Sequence, residues 1–464
     1  MTKYNKNNIY IIPSVLIILI EIYSIYYAQF HYDGFHMGLL LNVTSDLNSG
    51  KLIYKDFWYE YGVLNAYLNL LILKVSNNNI FSLFVVYTQF YVVGIILLYL
   101  LTKKFFGTNY ATLFLIVIFL IHPHLIKPWH NYIVFFLISS FLYMKSFFNL
   151  RYDIFSSLIL GLVFLFSETF FLTSFLIFAV ELIYSYKIFG KKVIIKKIIL
   201  FLLPIILFFI YLLLNDLISE WLLSKETFPI LLKYFYKADI ITYIISFFKI
   251  FLFSYRNIYS ETVIFFFSII YLSNFIFIII NLKKFIKNKV DNKNLFFLLI
   301  ASVNLILISQ LINNISAFKL GTLSIFGFII IIIFLRSIEE VYLRKLIILI
   351  IILISLNSAL DTKKDWILNK YHYAEHNIKS DKFDFLKNQK YPLLLWKHLE
   401  KFNQITLDIK KKCDIQFFAN FTEDAYYYYL ARDNYEFSQF LYSYRNQDNY
   451  YQNSYYTSLT HLFD

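Results

Sequence analysis

A single cysteine and only ten glycines in 464 residues remove several architectures from consideration. Cys413 has no second cysteine with which to form an intramolecular disulfide, and no Cys/His cluster has metal-site spacing. No Gly-rich phosphate loop, heptad series or internal repeat is present. Charge is sparse as well, at 16% of residues. A soluble all-α protein needs a polar face on most of its helices. The apolar runs at 81–101, 198–214, 262–280 and 346–359 offer none.

Apolar residues make up 59% of the chain, with mean hydropathy +0.60, against roughly 45–50% in soluble domains. A membrane span needs ~20 mostly apolar residues, and runs of that kind recur along most of the length. The net charge of +13 does not indicate nucleic acid. Lys103 and Lys104, Lys191 and Lys192, Lys196 and Lys197, and Lys283 and Lys284 sit in short clusters between apolar runs. Cytoplasmic loops have this pattern under the positive-inside rule. The Lys/Asn/Ile/Phe/Tyr bias reflects an AT-rich genome, and the triplets at Asn42, Asn314 and Asn420 that match glycosylation acceptors are chance matches in so Asn-rich a chain. The first apolar run, 9–30, lacks a small-residue cleavage site and reads as a retained span.

Hydropathy and Lys/Arg placement together predict an all-α polytopic protein of about eleven spans, N-terminus cytoplasmic and C-terminus outside. Spans are expected at 9–30, 80–101, 109–121, 131–148, 198–214, 262–281, 295–312, 321–336 and 345–360. The stretch 154–186 is too long for one span and has basic residues at both ends. It reads as a hairpin of two spans with its tip at Ser167, Glu168 and Thr169. A first outer segment, 31–79, begins with a polar loop over 31–60 and ends in an interfacial helix over 62–75. A long amphipathic region follows at 215–260. Residues 1–360 therefore form the transmembrane domain. Residues 361–464, where charges, Tyr, Asn and Gln replace Leu/Ile runs, form a small extracytoplasmic α/β region with a strand at 415–421 and a helix at 423–431.

Candidate chemistry gathers at the outer ends of the spans. Asp33 follows directly on the first span, in His31-Tyr-Asp33-Gly-Phe-His36. A carboxylate at a partly dehydrated membrane edge can acquire useful basicity, or can simply cap a helix. Glu168 lies in an otherwise apolar run, where a charge costs ~2.5–3.5 kcal/mol unless it faces protein or water. Glu21 lies deeper in the first span and suits an interhelix hydrogen bond. Lys127, His130, Arg256 and Lys319 are outward cations able to hold a phosphate or anchor at the interface. The aromatic surroundings, Trp129 among them, form an interfacial belt.

The first outer segment also carries a family resemblance. Gly50, Tyr54, Asp56, Phe57 and Gly62 resemble the pattern G-x-x-x-Y-x-D-F-x-x-x-x-G/P of bacterial GT-C glycosyltransferases of the protein-mannosyltransferase-like group (family 39-like). The likeness covers about the first 180 residues in sequence and the remainder in layout only. It implies a GT-C-like fold and a transferase that uses a polyprenyl-phosphate sugar donor in the bacterial plasma membrane. The acceptor would be a lipid, glycan or protein. It implies Asp33 as the base for an inverting attack, with Asp56, Glu60 and Tyr61 near the substrate. Where many relatives carry Lys-Pro after the acidic residue, Tyr61-Gly62 stands here. Where they place an Asp at the fourth span, this chain reads Lys127-Pro-Trp-His130-Asn131, leaving Asn131 or His130 to orient a hydroxyl. No metal or other cofactor is implied. The competing readings are a transporter or flippase of a lipid-linked glycan, disfavoured by few mid-membrane charges, and a polymerase or ligase of surface polysaccharide.

The topology is testable with fusions. A phosphatase reporter after Asp464 is expected to be active outside the cytoplasm, and one inserted after Lys104 to be inactive. Activity in the reverse pattern overturns the orientation.

Overall fold

The computed structural model describes residues 11–57, 59, 61–122, 126–224, 261–287, 289–310, 317–368, 378–413 and 426–431. Among these residues the regular elements are helical, and isolated bridges join Ile53 to Phe57 and Ile378 to Tyr391. The helices are α1 (Ile11–Ala28), α2 (Gly34–Asn48), α3 (Val63–Val75), α4 (Phe81–Phe106), α5 (Thr108–Ile121), α6 (His130–Lys145), α7 (Leu150–Phe166) and α8 (Phe171–Phe189). They continue as α9 (Lys191–Leu214), α10 (Glu261–Ile286), α11 (Asn292–Leu307), α12 (Ala317–Leu323), α13 (Phe328–Ser337), α14 (Val341–Leu368), α15 (Leu393–Lys412) and α16 (Tyr426–Ala431). Among the described residues, six stretches are long and apolar enough to cross a membrane: α1, α4, Glu168–Phe189, α9, Phe266–Ile286 and Asn292–Gln310.

Most expected spans have a helix at their position. The hairpin over 154–186 is α7 and α8, turned by a short 3-10 segment, Glu168–Phe170, at the expected tip. Glu21 accepts a hydrogen bond from Gln89 Nε2 at 2.6 Å, the interhelix role assigned to it. The run at 321–336 departs from expectation, being broken into α12, a 3-10 turn at Ile325–Gly327 and α13. Buried Asn304 accepts from the Gly327 amide at 3.1 Å, and buried Asn274 donates to the Gly327 carbonyl at 3.1 Å. These side chains satisfy the backbone groups that the break frees, a condition for irregular backbone at membrane depth.

The polar loop expected at 31–60 is largely helix α2. Its polar residues conceal an apolar set, Met37, Leu39, Leu40, Leu41, Val43 and Leu47, all buried. Each such side chain contributes roughly 1.5–3 kcal/mol on burial. Gly50 follows the helix at φ +90, a left-handed position that glycine takes without the Cβ penalty. In the C-terminal region the described residues form helices α15 and α16, preceded by a turn-rich stretch over 378–392 that the Ile378–Tyr391 bridge closes. The strand expected at 415–421 lies outside them, as does most of 215–260.

Two compact units divide the chain. One comprises Met1–Tyr26, Tyr87–Phe208 and Asp239–Lys370. The other comprises Tyr27–Val86, Phe209–Ala238 and Tyr371–Asp464. In the second, α2 packs on α3 and α16, and Phe383, Tyr391 and Trp396 form an aromatic core.

The first unit contains a buried ion network that corrects the reading of Lys197 as a loop residue. Lys145 at the end of α6, Asp153 in the first turn of α7, Glu181 on α8 and Lys197 on α9 are all buried. Lys145 donates to Asp153 and to Glu181, the latter at 2.5 Å. Lys197 donates to Asp153 at 2.8 Å and also to Glu181. Ser185 donates to Asp153 Oδ2 at 2.9 Å and to Glu181 at 2.8 Å. Two ammonium groups and two carboxylates cancel.

Removing one member leaves an uncompensated buried charge, which costs ~3–5 kcal/mol, whereas exchanging a whole pair for apolar residues is often neutral. Lys145→Met is therefore expected to lower the melting temperature of detergent-purified protein steeply, and Lys145→Met/Glu181→Leu to recover most of the loss. Equal losses in the two variants mean that the network does not act as a charge pair set.

Candidate active site

Asp33 is fixed by backbone geometry before any chemistry is asked of it. It is the N-cap of α2, and its Oδ1 accepts from the His36 amide at 3.0 Å. Capping satisfies a helix-end donor that otherwise lacks a partner. His36 Nδ1 lies 3.0 Å from Oδ1 and 2.8 Å from Oδ2. Toward an ionised carboxylate this nitrogen must be the donor, which leaves Nε2 as the acceptor when the ring is neutral. His31 Nε2 stands 3.7 Å from Oδ2. The carboxylate is 13% exposed, so it is shielded yet reachable. The positive end of α2 further favours its ionised form.

The second unit closes around this segment. Tyr391 Oη donates to the His31 carbonyl at 3.1 Å, and the Lys390 amide donates to the Gln29 carbonyl at 2.6 Å. Tyr32 packs edge-on against Tyr391 and tilted against Tyr426, with ring centroids 5.4 and 5.3 Å apart. His31 meets Phe84 edge-on at 6.0 Å. The two histidines and the C-terminal tyrosines are neighbours of the Asp33 segment that sequence reasoning did not single out. The only signal for the histidines was their spacing about Asp33.

Asp56 is exposed and braces the loop after α2. Its Oδ2 accepts from the Leu52 amide at 2.7 Å, while the Tyr54 amide donates to the Phe57 carbonyl at 2.8 Å. Tyr54 takes φ 74 there. The resemblance motif Gly50, Tyr54, Asp56, Phe57 is thus a compact turn with an outward carboxylate. Tyr61 packs edge-on against Tyr59 at 5.3 Å, and Tyr59 Oη donates to buried Asn65 at 2.7 Å. Glu60 and Arg256 lie outside the described residues.

The remaining candidates lie in the first unit, and several come together at one end of its helices. His130 begins α6, and its ring meets Phe170 of the hairpin tip edge-on at 5.9 Å. Lys319 on α12 acts electrostatically on His130, and its Nζ donates to the Gln310 carbonyl at 3.3 Å. Gln310 Nε2 donates to the Thr169 carbonyl at 3.1 Å and to Thr173 Oγ1 at 2.6 Å. Thr173 and Ser309 hydroxyls are 3.1 Å apart. Glu168, nearly buried, opens the same 3-10 turn. Asn131 is buried in the first turn of α6. Lys127 holds its ammonium 4.7 Å from the Trp129 ring centroid, a cation–π contact just ahead of α6.

Gln310, Thr173 and Ser309 were not among the sequence candidates. Neutral polar residues near a span end give no distinctive signal until folding places them beside Lys319 and the hairpin tip. An ammonium, an amide and hydroxyls gathered this way suit an anionic oxygen-rich ligand. Among the described residues no three His, Cys, Asp or Glu side chains gather as a metal site.

No protein-family model and no curated protein matches the sequence. Solved structures do match. ArnT from Cupriavidus metallidurans bound to undecaprenyl phosphate aligns over 91% of this chain and 85% of its own, with TM-score 0.55 and 7% identity. ArnT from the same organism in the apo state aligns over the same shares, with TM-score 0.51 and 8% identity. At such identities the likeness is one of fold. The long apolar helices and this alignment together make the chain a polytopic membrane protein with the GT-C fold seen in ArnT.

Proposed function

We propose that this chain is a membrane glycosyltransferase that moves a sugar from a polyprenyl-phosphate-linked donor to a lipid, glycan or protein acceptor. The observation that carries the reading is Asp33, a shielded carboxylate held by the His36 side chain and amide just past the first span. The GT-C fold supports it, as does a structural neighbour whose ligand is undecaprenyl phosphate.

In this mechanism Asp33 takes the proton of the acceptor hydroxyl. The freed oxygen attacks the anomeric carbon from the face opposite the phosphate, the bond from that carbon to the phosphate oxygen breaks, and configuration inverts. The negative charge that develops on the leaving polyprenyl phosphate calls for cations, and Lys127, Lys319 and Arg256 are assigned that role. His36 keeps the Asp33 carboxylate oriented. Asn131 or His130 orients the acceptor hydroxyl, and Asp56, Glu60, Tyr61 and Glu168 contribute substrate contacts.

The donor's tail must stay in hydrocarbon while its sugar reacts in water, so a site at the outer ends of spans serves both phases. The setting is the bacterial plasma membrane, N-terminus inside, with the site and residues 361–464 on the outer face. The segments that hydropathy places outward, 31–79 and the C-terminal region, largely share one compact unit, which supports this placement.

Asn is as good a helix cap as Asp but cannot accept the acceptor's proton. Asp33→Asn is therefore expected to insert and fold normally yet to lose about 100- to 10,000-fold in transfer from a radiolabelled polyprenyl-phosphate sugar. The labelled product, identified by mass spectrometry of envelope glycans and lipids against a deletion strain, names the acceptor. Undiminished transfer by the folded variant removes Asp33 from the mechanism.

A further inference from the structure

Gln310 ends the short 3-10 turn, Ile308–Gln310, that extends α11. Its side chain ties that turn to the hairpin tip. Nε2 donates to the Thr169 carbonyl at 3.1 Å and to Thr173 Oγ1 in the first turn of α8 at 2.6 Å. A carbonyl only accepts, so the first contact settles the orientation of the amide. Both hydrogens of Nε2 are then in use. The second begins a directed chain. Ser309 Oγ donates to the Ile306 carbonyl at 2.8 Å, which leaves it to accept from Thr173, 3.1 Å away. The protons therefore run from Gln310 to Thr173 to Ser309 to Ile306, and hydrogen bonds aligned in this way polarise one another.

The backbone of the same residue meets a cation. The Gln310 carbonyl accepts from Lys319 Nζ at 3.3 Å. Lys319 belongs to α12, the first piece of the broken span. The break beyond it is tied to the same helix, because Asn304 of α11 accepts from the Gly327 amide at 3.1 Å. Helix α11 and its extension thus hold the broken span at two points, the turn at Gly327 and the ammonium at Lys319. A 3-10 turn has poorer hydrogen-bond geometry than an α-helix, so an anchor from its own side chain matters to where its last carbonyl points.

We propose that Gln310 is a positioning residue for the phosphate-binding lysine. By fastening the end of α11 to the hairpin tip, it fixes the carbonyl on which Lys319 rests, and so sets where that ammonium meets the phosphate of a polyprenyl-phosphate ligand. An ammonium has three donors, and the carbonyl takes one of them. The inference rests on the reading of the chain as a user of a polyprenyl-phosphate donor. What it adds is the coupling of a neutral amide to the cation that faces the phosphate.

The test is a double-mutant cycle on the full-length protein in detergent. It reads the dissociation constants of undecaprenyl phosphate and of undecaprenol, which lacks the phosphate. Undecaprenyl phosphate is expected to bind more tightly. Lys319→Gln should weaken its binding about ten-fold and Gln310→Leu about five-fold, with undecaprenol unchanged. The double variant should bind no more weakly than Lys319→Gln alone, because Gln310 acts through Lys319. A purely structural contact gives losses that multiply, to about fifty-fold. If Gln310→Leu does not fold, Thr173→Val takes its place, since it removes one acceptor of the amide and keeps the side-chain shape. A loss of about three-fold is then expected, absent in the Lys319→Gln background. Multiplying losses, unchanged phosphate-dependent binding in the folded variants, or an equal loss for undecaprenol overturns the proposal. Equal binding of the two ligands by the unsubstituted protein is a different failure, because it removes the polyprenyl-phosphate reading itself and the proposal with it.

Discussion

Four charges buried among apolar helices constrain the first unit more than any other set of contacts. In hydrocarbon an ionised side chain persists only when paired or hydrated, so Lys145, Asp153, Glu181 and Lys197 must find one another. Each comes from a different helix, and the pairing therefore sets the rotation and axial register of α6, α7, α8 and α9 at one end. Packing then carries that register to the other end, ~25 Å away for helices of this length. A glycine marks how close the packing is. A side chain at Gly161 of α7 would collide with the Phe201 carbonyl of α9. At the far end of the same helices stand His130 and the Glu168–Phe170 turn.

Asp33 shows a second economy of the fold. The acid that resembles a catalytic base is also the residue that starts α2. Its two roles are compatible because capping occupies only part of the carboxylate's acceptor capacity, ~four lone-pair sites. The helix end and His36 hold the Asp33 carboxylate, and the C-terminal tyrosines brace its neighbours His31 and Tyr32, the kind of support a reacting group needs if it is to be positioned within fractions of an ångström. The ~1 kcal/mol of the cap is small beside the chemistry expected of the same group, so stability and activity can be separated by choosing between substitutions that keep or lose the cap.

The bilayer acts in two ways in this protein. It sets helix length, as in α4 and α9. It forces polar side chains such as Asn274 and Asn304 onto freed backbone groups.

Much of the architecture was legible in the residues because span length and charge at span ends are local properties. The 154–186 hairpin, its tip at Glu168 and the hydrogen-bonded state of Glu21 all followed from hydropathy and the cost of a charge in hydrocarbon. Helix α2 was obscured because its polar residues look like a loop until the second unit covers its apolar ones. Lys197 looked like a loop cation because its partners Asp153 and Glu181 lie 44 and 16 residues away, and nothing local announces them. Gln310 and Thr173, 137 residues apart, became neighbours only on folding. Sequence alone therefore indicated which segments are apolar enough to span a membrane and which carboxylate follows the first of them. The partners of each charge, and the polar groups that surround Lys319, were decided by tertiary structure. Electrostatic and hydrogen-bond partners in a helical bundle come from other helices, and their register is set by packing that no single segment encodes.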